Sequence, residues 1–483
     1  MSGTAQPAPS GLRRIPFPLE SYQHPSPPLS AKRLLNYYAE AQPADARTDA
    51  ALIPTHGLVA AIDVGQAPIR AMNSDNPGAL YIAAGSHFYR FGVISGAPED
   101  LGDVGVPTST FARDTLTTIA VGPDAAVVCV PPNAYTCSHT GQLNQIGGAF
   151  PGASSVAYLD GYFVFTAYWS TITEGARFFA TGLLDPANYD ALDFAYADGE
   201  PNVVRRVIAH RGELWFLGEA AIEVWYDAGA ADFPFRRQSG GVIHTGNASP
   251  KVAATGDGSV FWLGMADNVV YRSNGYRAAR ISTHAIEAII GAAGGASTAD
   301  LSLVYSYGGH VFYCLNIGNR TLAYDCATQK WHDRASSGDG SGRWRVGTAA
   351  RLGNSAALGD ALTGQIYVPD AAYLTDGGTH VLRQVTMPPL FSPGQQRLFC
   401  GRAEIEMELG YDPVPAPVLL EWSDDGALTW KGPRSLSLGA INTPRKRVPS
   451  TRLGSFRQRI FRISTSGNPT LYAVDADVSA GAV

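Results

Sequence analysis

From about residue 78 onward the chain repeats one arrangement of apolar and polar positions. A pair of turn residues precedes three or four apolar residues, then a short link, then a second apolar strand. The copies are GALYIAAGSHFYRFG (78–92), DAAVVCVPPNAYTC (124–137), DGYFVFTAYWS (160–170), RGELWFLGEAAIEVWYD (211–227), DGSVFWLGMADNVVYRSNG (257–275) and GGHVFYCLNIGNRTLAYD (308–325). A weaker copy, GNSAALGDALTGQIYVPD, covers 353–370. Their starts are separated by 46, 36, 51, 46, 51 and 45 residues. A period of roughly 40–50 residues with several strands in each predicts the blades of a β-propeller. A β-sandwich would give turn signals every 8–12 residues or so and no longer period. The pattern therefore predicts an all-β chain with a propeller of six or seven blades over residues 61–375. Helical periodicity is scarce, and its best stretch, 283–290, is too short to define an α/β fold.

The flanks read differently. Residues 1–30, rich in Pro, Ser, Ala and Gly, cannot bury much and predict an extended arm. The apolar patch RLLNYYAE at 33–40 predicts a strand that docks on the main body, so that 1–60 forms an arm and docking segment. Beyond 376 the alternation becomes strict. Glu404, Glu406 and Glu408 fall on one face, with Ile405, Met407 and Leu409 on the other, as in a half-buried strand. VLLEWSDDGALTW (418–430) reads as a hairpin with an Asp-Gly turn, and RQRIFRIS (457–464) as another strand. These predict a small β-sandwich over 376–483.

Composition supports short strands and tight turns. The 483 residues include 53 Gly and 32 Pro, aromatic residues reach 10% and charged residues only 16%. Few charges suit a protein that covers much of its surface with neighbours. The net charge of −6 gives no general basic footprint for wrapping nucleic acid. The N-terminus lacks the apolar core of a signal peptide, and no stretch approaches a membrane span, so synthesis in a cytoplasm is expected. The five cysteines, at 129, 137, 314, 326 and 400, are dispersed and read as reduced, buried thiols.

Chemistry-bearing motifs are sparse. No HExxH, nucleophile elbow, Walker A loop or Rossmann fingerprint occurs, and the ten histidines are scattered. No catalytic residue, metal or cofactor is expected. Glu213, Glu219 and Glu223 lie on or beside one predicted hairpin and read as hydrogen-bond partners within and between blades. SDDGALTW (423–430) approaches the Asp-box hairpin of sialidase propellers, with Ala427 where that pattern has glycine. Seven cations stand without an acid in one run: Arg445, Lys446, Arg447, Arg452, Arg457, Arg459 and Arg462. Phosphate contact is one reading. The favoured one sets this run beside the Glu404/Glu406/Glu408 strand, in the same chain or in a neighbouring subunit.

The segment 160–237 is the most distinctive. A DG-aromatic strand at Asp160 and Gly161 leads to an element carrying Asp185 and Pro186. A segment with Gly199 and Pro201 follows, then a hairpin carrying Gly218, Ile222 and Glu223. In this it resembles the packaged-DNA-stabilisation, or tail-hub, family of short-tailed bacteriophages. RLLNYYAE with LIPTHGL near the N-terminus and KRVPSTRLGSFRQRIFRIS near the C-terminus extend the resemblance over about 33–475. Pro54-Thr55-His56-Gly57 stands where that family often has Phe-Pro-Gly.

The resemblance implies a structural virion protein, made in the host bacterial cytoplasm. It would form a homo-oligomeric ring, a hexamer, in the tail. The ring would link the portal–adaptor proteins to spike, fibre or needle proteins, help retain packaged DNA and form part of its ejection channel. Double-stranded DNA would pass transiently and without sequence preference. Like charge in the lumen keeps DNA from sticking, which makes Glu404, Glu406 and Glu408 channel-lining candidates and the seven cations subunit-interface candidates. Two competing functions make different demands. A carbohydrate-active propeller enzyme needs two carboxyls converging across an axial pocket. A receptor-binding adhesin needs exposed aromatic residues on distal loops.

Overall fold

The computed structural model describes residues 12–43, 50–74, 78–92, 96–108, 115–148, 150–168, 175–230, 232–297, 299–391, 396–408, 416–436 and 445–480. Among them, strands form seven four-stranded antiparallel blades: blade 1 (69–103), blade 2 (118–145), blade 3 (153–196), blade 4 (204–243), blade 5 (254–280), blade 6 (301–334) and blade 7. Blade 7 takes three strands from 346–370 and its fourth, Gly57–Asp63, from the other end of the chain. That strand pairs antiparallel with Gln365–Asp370 and closes the ring with backbone hydrogen bonds.

Each repeat seen in the sequence begins at the turn into a blade's second strand. Where the turn pair is Asp160-Gly161, Arg211-Gly212, Asp257-Gly258 or Gly308-Gly309, both residues have positive φ. This is the geometry of a two-residue hairpin turn whose twist matches that of the strands. The second strands are buried on both faces because each blade is sandwiched between two others. In blade 4, Phe216 packs with blade 3 while its neighbour Trp215 packs with blade 5. In blade 5, Trp262 faces blade 4 and Phe261 faces blade 6. Alternate side chains thus serve two cores, and the sequence shows an unbroken apolar run.

Seven apolar layers separate the seven blades. The helix His284–Ala292 lies between blades 5 and 6 and adds Ile286 and Ile290 to their layer. Its N-terminus is capped by Thr283, whose hydroxyl accepts from the Ile286 amide at 3.4 Å. Leu58 and Ile62 of the closing strand enter the layers on either side of blade 7. Blade 7 thus takes a quarter of its sheet from the other end of the chain.

An eighth core fills a β-sandwich. One sheet runs Tyr37–Ala41, Ala50–Pro54, Thr470–Ala480, Leu398–Glu408, Arg445–Phe456, with Leu12–Ile15 added alongside Thr470–Ala480. The other runs Ala31–Leu35, Arg383–Thr386, Gln458–Thr465, Val418–Ser423, Lys431–Leu436. Ile405, Met407 and Val474 of the first sheet meet Val385, Leu420, Phe461 and Ile463 of the second. The described part of the N-terminal segment is therefore woven into sheets. Ile15 and Leu52 are buried in the sandwich core, Ile15 from within an Arg- and Pro-rich stretch. Residues 1–11, and Leu409 of the alternating strand, lie outside the described residues.

The sandwich and the propeller share a sheet edge. Ala31–Leu35 meets blade 6 through a parallel bridge between Leu35 and Asp333. Asn36 next to it has φ 54 and is buried; its amide nitrogen donates to the carbonyls of Ala335 and Leu382 at 2.9 and 2.8 Å. Tyr38 packs edge-on against His310 and Phe312 of blade 6. Beside it, His56 Nε2 lies 2.8 Å from the Tyr305 hydroxyl and 3.3 Å from Arg334. Arg334, 2% exposed, lies over Tyr305, Phe312 and Trp344, 4.7–5.3 Å from the ring centres. One N-terminal segment thus ties the two domains together and then closes the ring.

Candidate functional site

The segment 160–237 spans blade 3, blade 4 and the crossing between them. Of its hallmark residues, Gly199, Gly218 and Glu223 make that crossing, while Asp160, Gly161, Asp185 and Pro186 stand in blade 3. The buried Glu223 carboxylate accepts from the Gly199 amide at 2.6 Å and from Trp225 Nε1 at 3.3 Å, with Arg237 3.8 Å away. Burial pushes its pKa up, opposed by these partners. Asn202 donates to the Ala221 carbonyl at 2.8 Å and accepts from the Ala220 amide at 3.0 Å. Gly218 must lack a side chain, since a Cβ there would lie 2.1 Å from Asn202. Glu219 pairs with Arg205 at 3.1 Å, and Glu213 accepts from Tyr276 of blade 5. All three glutamates hold polypeptide in place, and none converges with another on an open site. In the Asp-box-like turn, Asp425 accepts from the amides of Leu428 and Thr429, and Ala427 takes the positive φ of 70° that the pattern normally gives to glycine.

The glutamate and arginine strands are neighbours within this chain. Leu398–Glu408 pairs antiparallel with Arg445–Phe456, setting Glu406 opposite Arg447 and Glu408 opposite Arg445. Glu404 is 5% exposed and Glu406 4%, so neither side chain can line a channel, contrary to the expectation from alternation. They do face away from the sandwich core, but arginines cover them. Arg402 pairs with Glu404, and Arg447 lies 3.8 Å from Glu404 and 3.4 Å from Glu406. Only Glu408 of the three is exposed, and Tyr472 donates to it. Asp475, opposite Glu404, has its own partner in Arg14 at 2.7 Å.

The cation run divides in the same way. Arg459, 1% exposed, forms two bonds with Asp424 at 2.7 and 2.9 Å and donates to the Leu453 carbonyl at 2.8 Å. It lies over Phe456, 4.4 Å from the ring centre, and so is a core residue with no face for a neighbouring subunit. Arg462 pairs with Glu421 through two bonds of 2.8 Å and stacks over Trp430 at 3.9 Å. Arg447, Arg452 and Arg457 are exposed, and Lys446 is half-buried. Arg452 and Arg457 make no ion pair with a described residue. The side chain of Arg445 lies outside the described set.

The first strands of the blades surround the propeller axis, where they enclose a cavity of about 720 Å³. Its described lining holds Arg70, Arg206 and Lys251 and no carboxylate. The converging acid pair that a glycosidase needs is not present there. The five cysteines are buried free thiols. Cys129 stands opposite Ala134, and Cys314 opposite Ala323, so neither faces the other cysteine of its hairpin.

Residues 28–373 match the family model described as "Bacteriophage P22 Gp10, beta-propeller", and 383–479 match "Bacteriophage P22 Gp10, beta-sandwich". The chain belongs to the bacteriophage P22 Gp10 family. Gp10 proteins are phage stabilisation proteins, structural components of the virion tail. No curated protein sequence matches this chain. Solved structures with a similar course include a chain of the mitotic checkpoint complex (9% identity, TM-score 0.43, 68% of this chain and 94% of that one). BamB from Moraxella catarrhalis is another (10% identity, TM-score 0.40, 75% and 98%). A third is PorZ of the Porphyromonas gingivalis type-IX secretion system (12% identity, TM-score 0.38, 72% and 44%).

Part of the Gp10 resemblance was carried by Gly199, Gly218 and Glu223, which build an inter-blade crossing where close backbone approach leaves few choices of side chain. The axial cations escaped the same reading. They are isolated residues on or beside first strands, whereas the visible repeat starts at the second.

Proposed function

We propose that this Gp10 family member assembles as a six-membered ring in the phage tail. The ring joins the portal–adaptor complex to the distal spike, fibre or needle proteins, retains packaged DNA and surrounds its exit path. One observation supports this above others: the chain carries both Gp10 parts, propeller and sandwich, fastened together by strands of a single N-terminal segment. A part that bears load between neighbours needs such rigidity, since loosely tethered domains move relative to each other by default.

Subunit contacts are assigned to the exposed members of the cation run, Arg447, Arg452 and Arg457, with Lys446 and Arg445 beside them. Glu408 is the remaining channel-lining candidate. Arg459 acts inside the sandwich, and Glu404 and Glu406 bind the arginines that cover its outer face.

Negative-stain imaging of the purified chain, alone and mixed with the adaptor proteins, tests this reading. Six-fold rings, free or formed on the adaptor, are expected. An Arg452→Glu/Arg457→Glu variant should keep its circular dichroism spectrum and fail to form rings. A chain that stays monomeric and never joins the tail would overturn the proposal.

A further inference from the structure

Among the described residues, several buried or half-buried arginines hold another element in place through a carboxylate: Arg345 with Asp360, Arg320 with Asp333, Arg459 with Asp424. The axial arginines do not. Arg70 donates to the Thr117 hydroxyl and the Gly105 carbonyl, both at 2.9 Å. Arg206 donates through one Nη to the carbonyls of Pro250 and Ala253 at 2.6 and 2.5 Å. In both, Nε–H is enclosed without an acceptor among the described residues. Neutral acceptors orient a guanidinium and leave its charge uncompensated.

Lys251, between the two carbonyls that hold Arg206, adds a third charge to the lining. Burial pulls both arginines down to about 10 and also lowers Lys251. Asp103, outside the lining, offsets part of this for Arg70. Concentrating like charges in a partly enclosed space is costly unless a counter-charge enters it.

We propose that the axial cavity binds a small phosphate-bearing polyanion, held by Arg206 and Lys251 on one side of the axis and by Arg70 on the other. Arg206 is on blade 4 and Arg70 on blade 1, three blades around a seven-blade ring, so the two charges line different sides of the cavity. A ligand spanning both sides needs more than one anionic group. Three cations suit a chain of two or three phosphates better than a lone carboxylate. The cavity has the size typical of small-molecule sites, about 300–1,000 Å³. Asn73, Thr117, Thr118, Ser302 and Thr348 supply further uncharged polar groups around it. The proposal is independent of ring assembly.

Titration of the full chain with sodium tripolyphosphate, followed by calorimetry and by thermal unfolding, tests it. Saturable binding of about one ligand per chain is expected, with a rise in melting temperature that sodium chloride at equal ionic strength does not reproduce. Lys251→Gln and Arg70→Gln should each weaken binding at least tenfold, and Arg206→Gln by more. Arg206 also ties down residues 250–253, so its variant is read against the ligand-free melting temperature, and Lys251→Gln carries the test if Arg206→Gln unfolds. Absence of saturable binding above the chloride control would overturn the proposal. So would unchanged affinity in the Lys251→Gln/Arg70→Gln double variant, or capture of duplex DNA by the same cations with no competition from tripolyphosphate.

Discussion

The propeller and the sandwich are built from similar strands by opposite routes. In blades 1–6 every strand pairs with one adjacent in sequence, and hairpin turns set the register. In the sandwich, Leu12 pairs with Asp477, Leu52 with Leu471, and Arg33 with Thr386. Local pairing costs little chain entropy and leaves a repeat in the sequence, whereas pairing across hundreds of residues must await most of the chain. Blade 7 joins the two routes, because its fourth strand comes from the segment that has just passed through the sandwich.

Removing residues 1–64 attacks both routes at once. It deletes sandwich strands, the shared edge and the closing strand of blade 7. Neither domain should then unfold cooperatively, and both should be digested by protease at concentrations that leave the full chain intact. A truncated chain that still melts in one sharp transition would mean that the propeller closes without help.

Single substitutions separate the regions more finely. Asp424→Ala leaves Arg459 buried without a counter-charge, which should cost about 3–5 kcal/mol. Phe178→Ala empties the layer between blades 3 and 4, where its ring centre lies 4.1 Å from that of Phe216, and should cost a similar 3–5 kcal/mol. If the shared edge makes the domains one cooperative unit, urea unfolding of each variant remains a single, shifted transition. Two transitions, with only the damaged region moved, would show that the domains fold separately.

The junction also predicts a pH dependence. Burial, with the Arg334 charge beside them, holds His56 well below its ordinary pKa and pulls His332 down to about 3. Both stay neutral in the folded chain, while the unfolded chain takes up protons below about 6.5. Their contribution is therefore present above that pH and is lost as pH falls toward the folded values, at up to about 1.4 kcal/mol per pH unit for each group. Asp376 acts in the opposite sense. Burial raises it to about 6, so folding is favoured as pH falls from about 6 toward its unfolded value. Two histidines outweigh one aspartate, and the urea midpoint should drop between pH 6.5 and 5. In His56→Gln/His332→Gln the slope between pH 6 and 5 should flatten or reverse.

The smallest effect is expected at Arg447. Its side chain is 42% exposed, so Arg447→Ala should change stability by less than about 1 kcal/mol. If it contributes to subunit contacts, ring formation should respond far more than the melting temperature does.

The Gp10 crossing within 160–237 was legible because Gly199, Gly218 and Glu223, which build it, lie close together in sequence. Glu404 and Glu406 depart from the channel-lining expectation for a definite reason. Alternation separates a core face from an outer face, but it does not tell whether the outer face is wet. Arg402 and Arg447, one on each strand of the pair, cover both carboxylates. The arginine run likewise concealed three environments, a core anchor at Arg459, a paired strand at Arg462 and exposed positions at Arg452 and Arg457.

By itself the sequence determined the all-β class, the propeller repeat with its positive-φ turn pairs, and the alternating strands near the C-terminus, because each is set by neighbours a few residues apart. Only the tertiary structure decided that there are seven blades, that the N-terminal segment completes both domains, and that three cations from separate parts of the sequence line one axial cavity. Those outcomes rest on contacts between residues tens to hundreds of positions apart, and such contacts impose no local period on the chain.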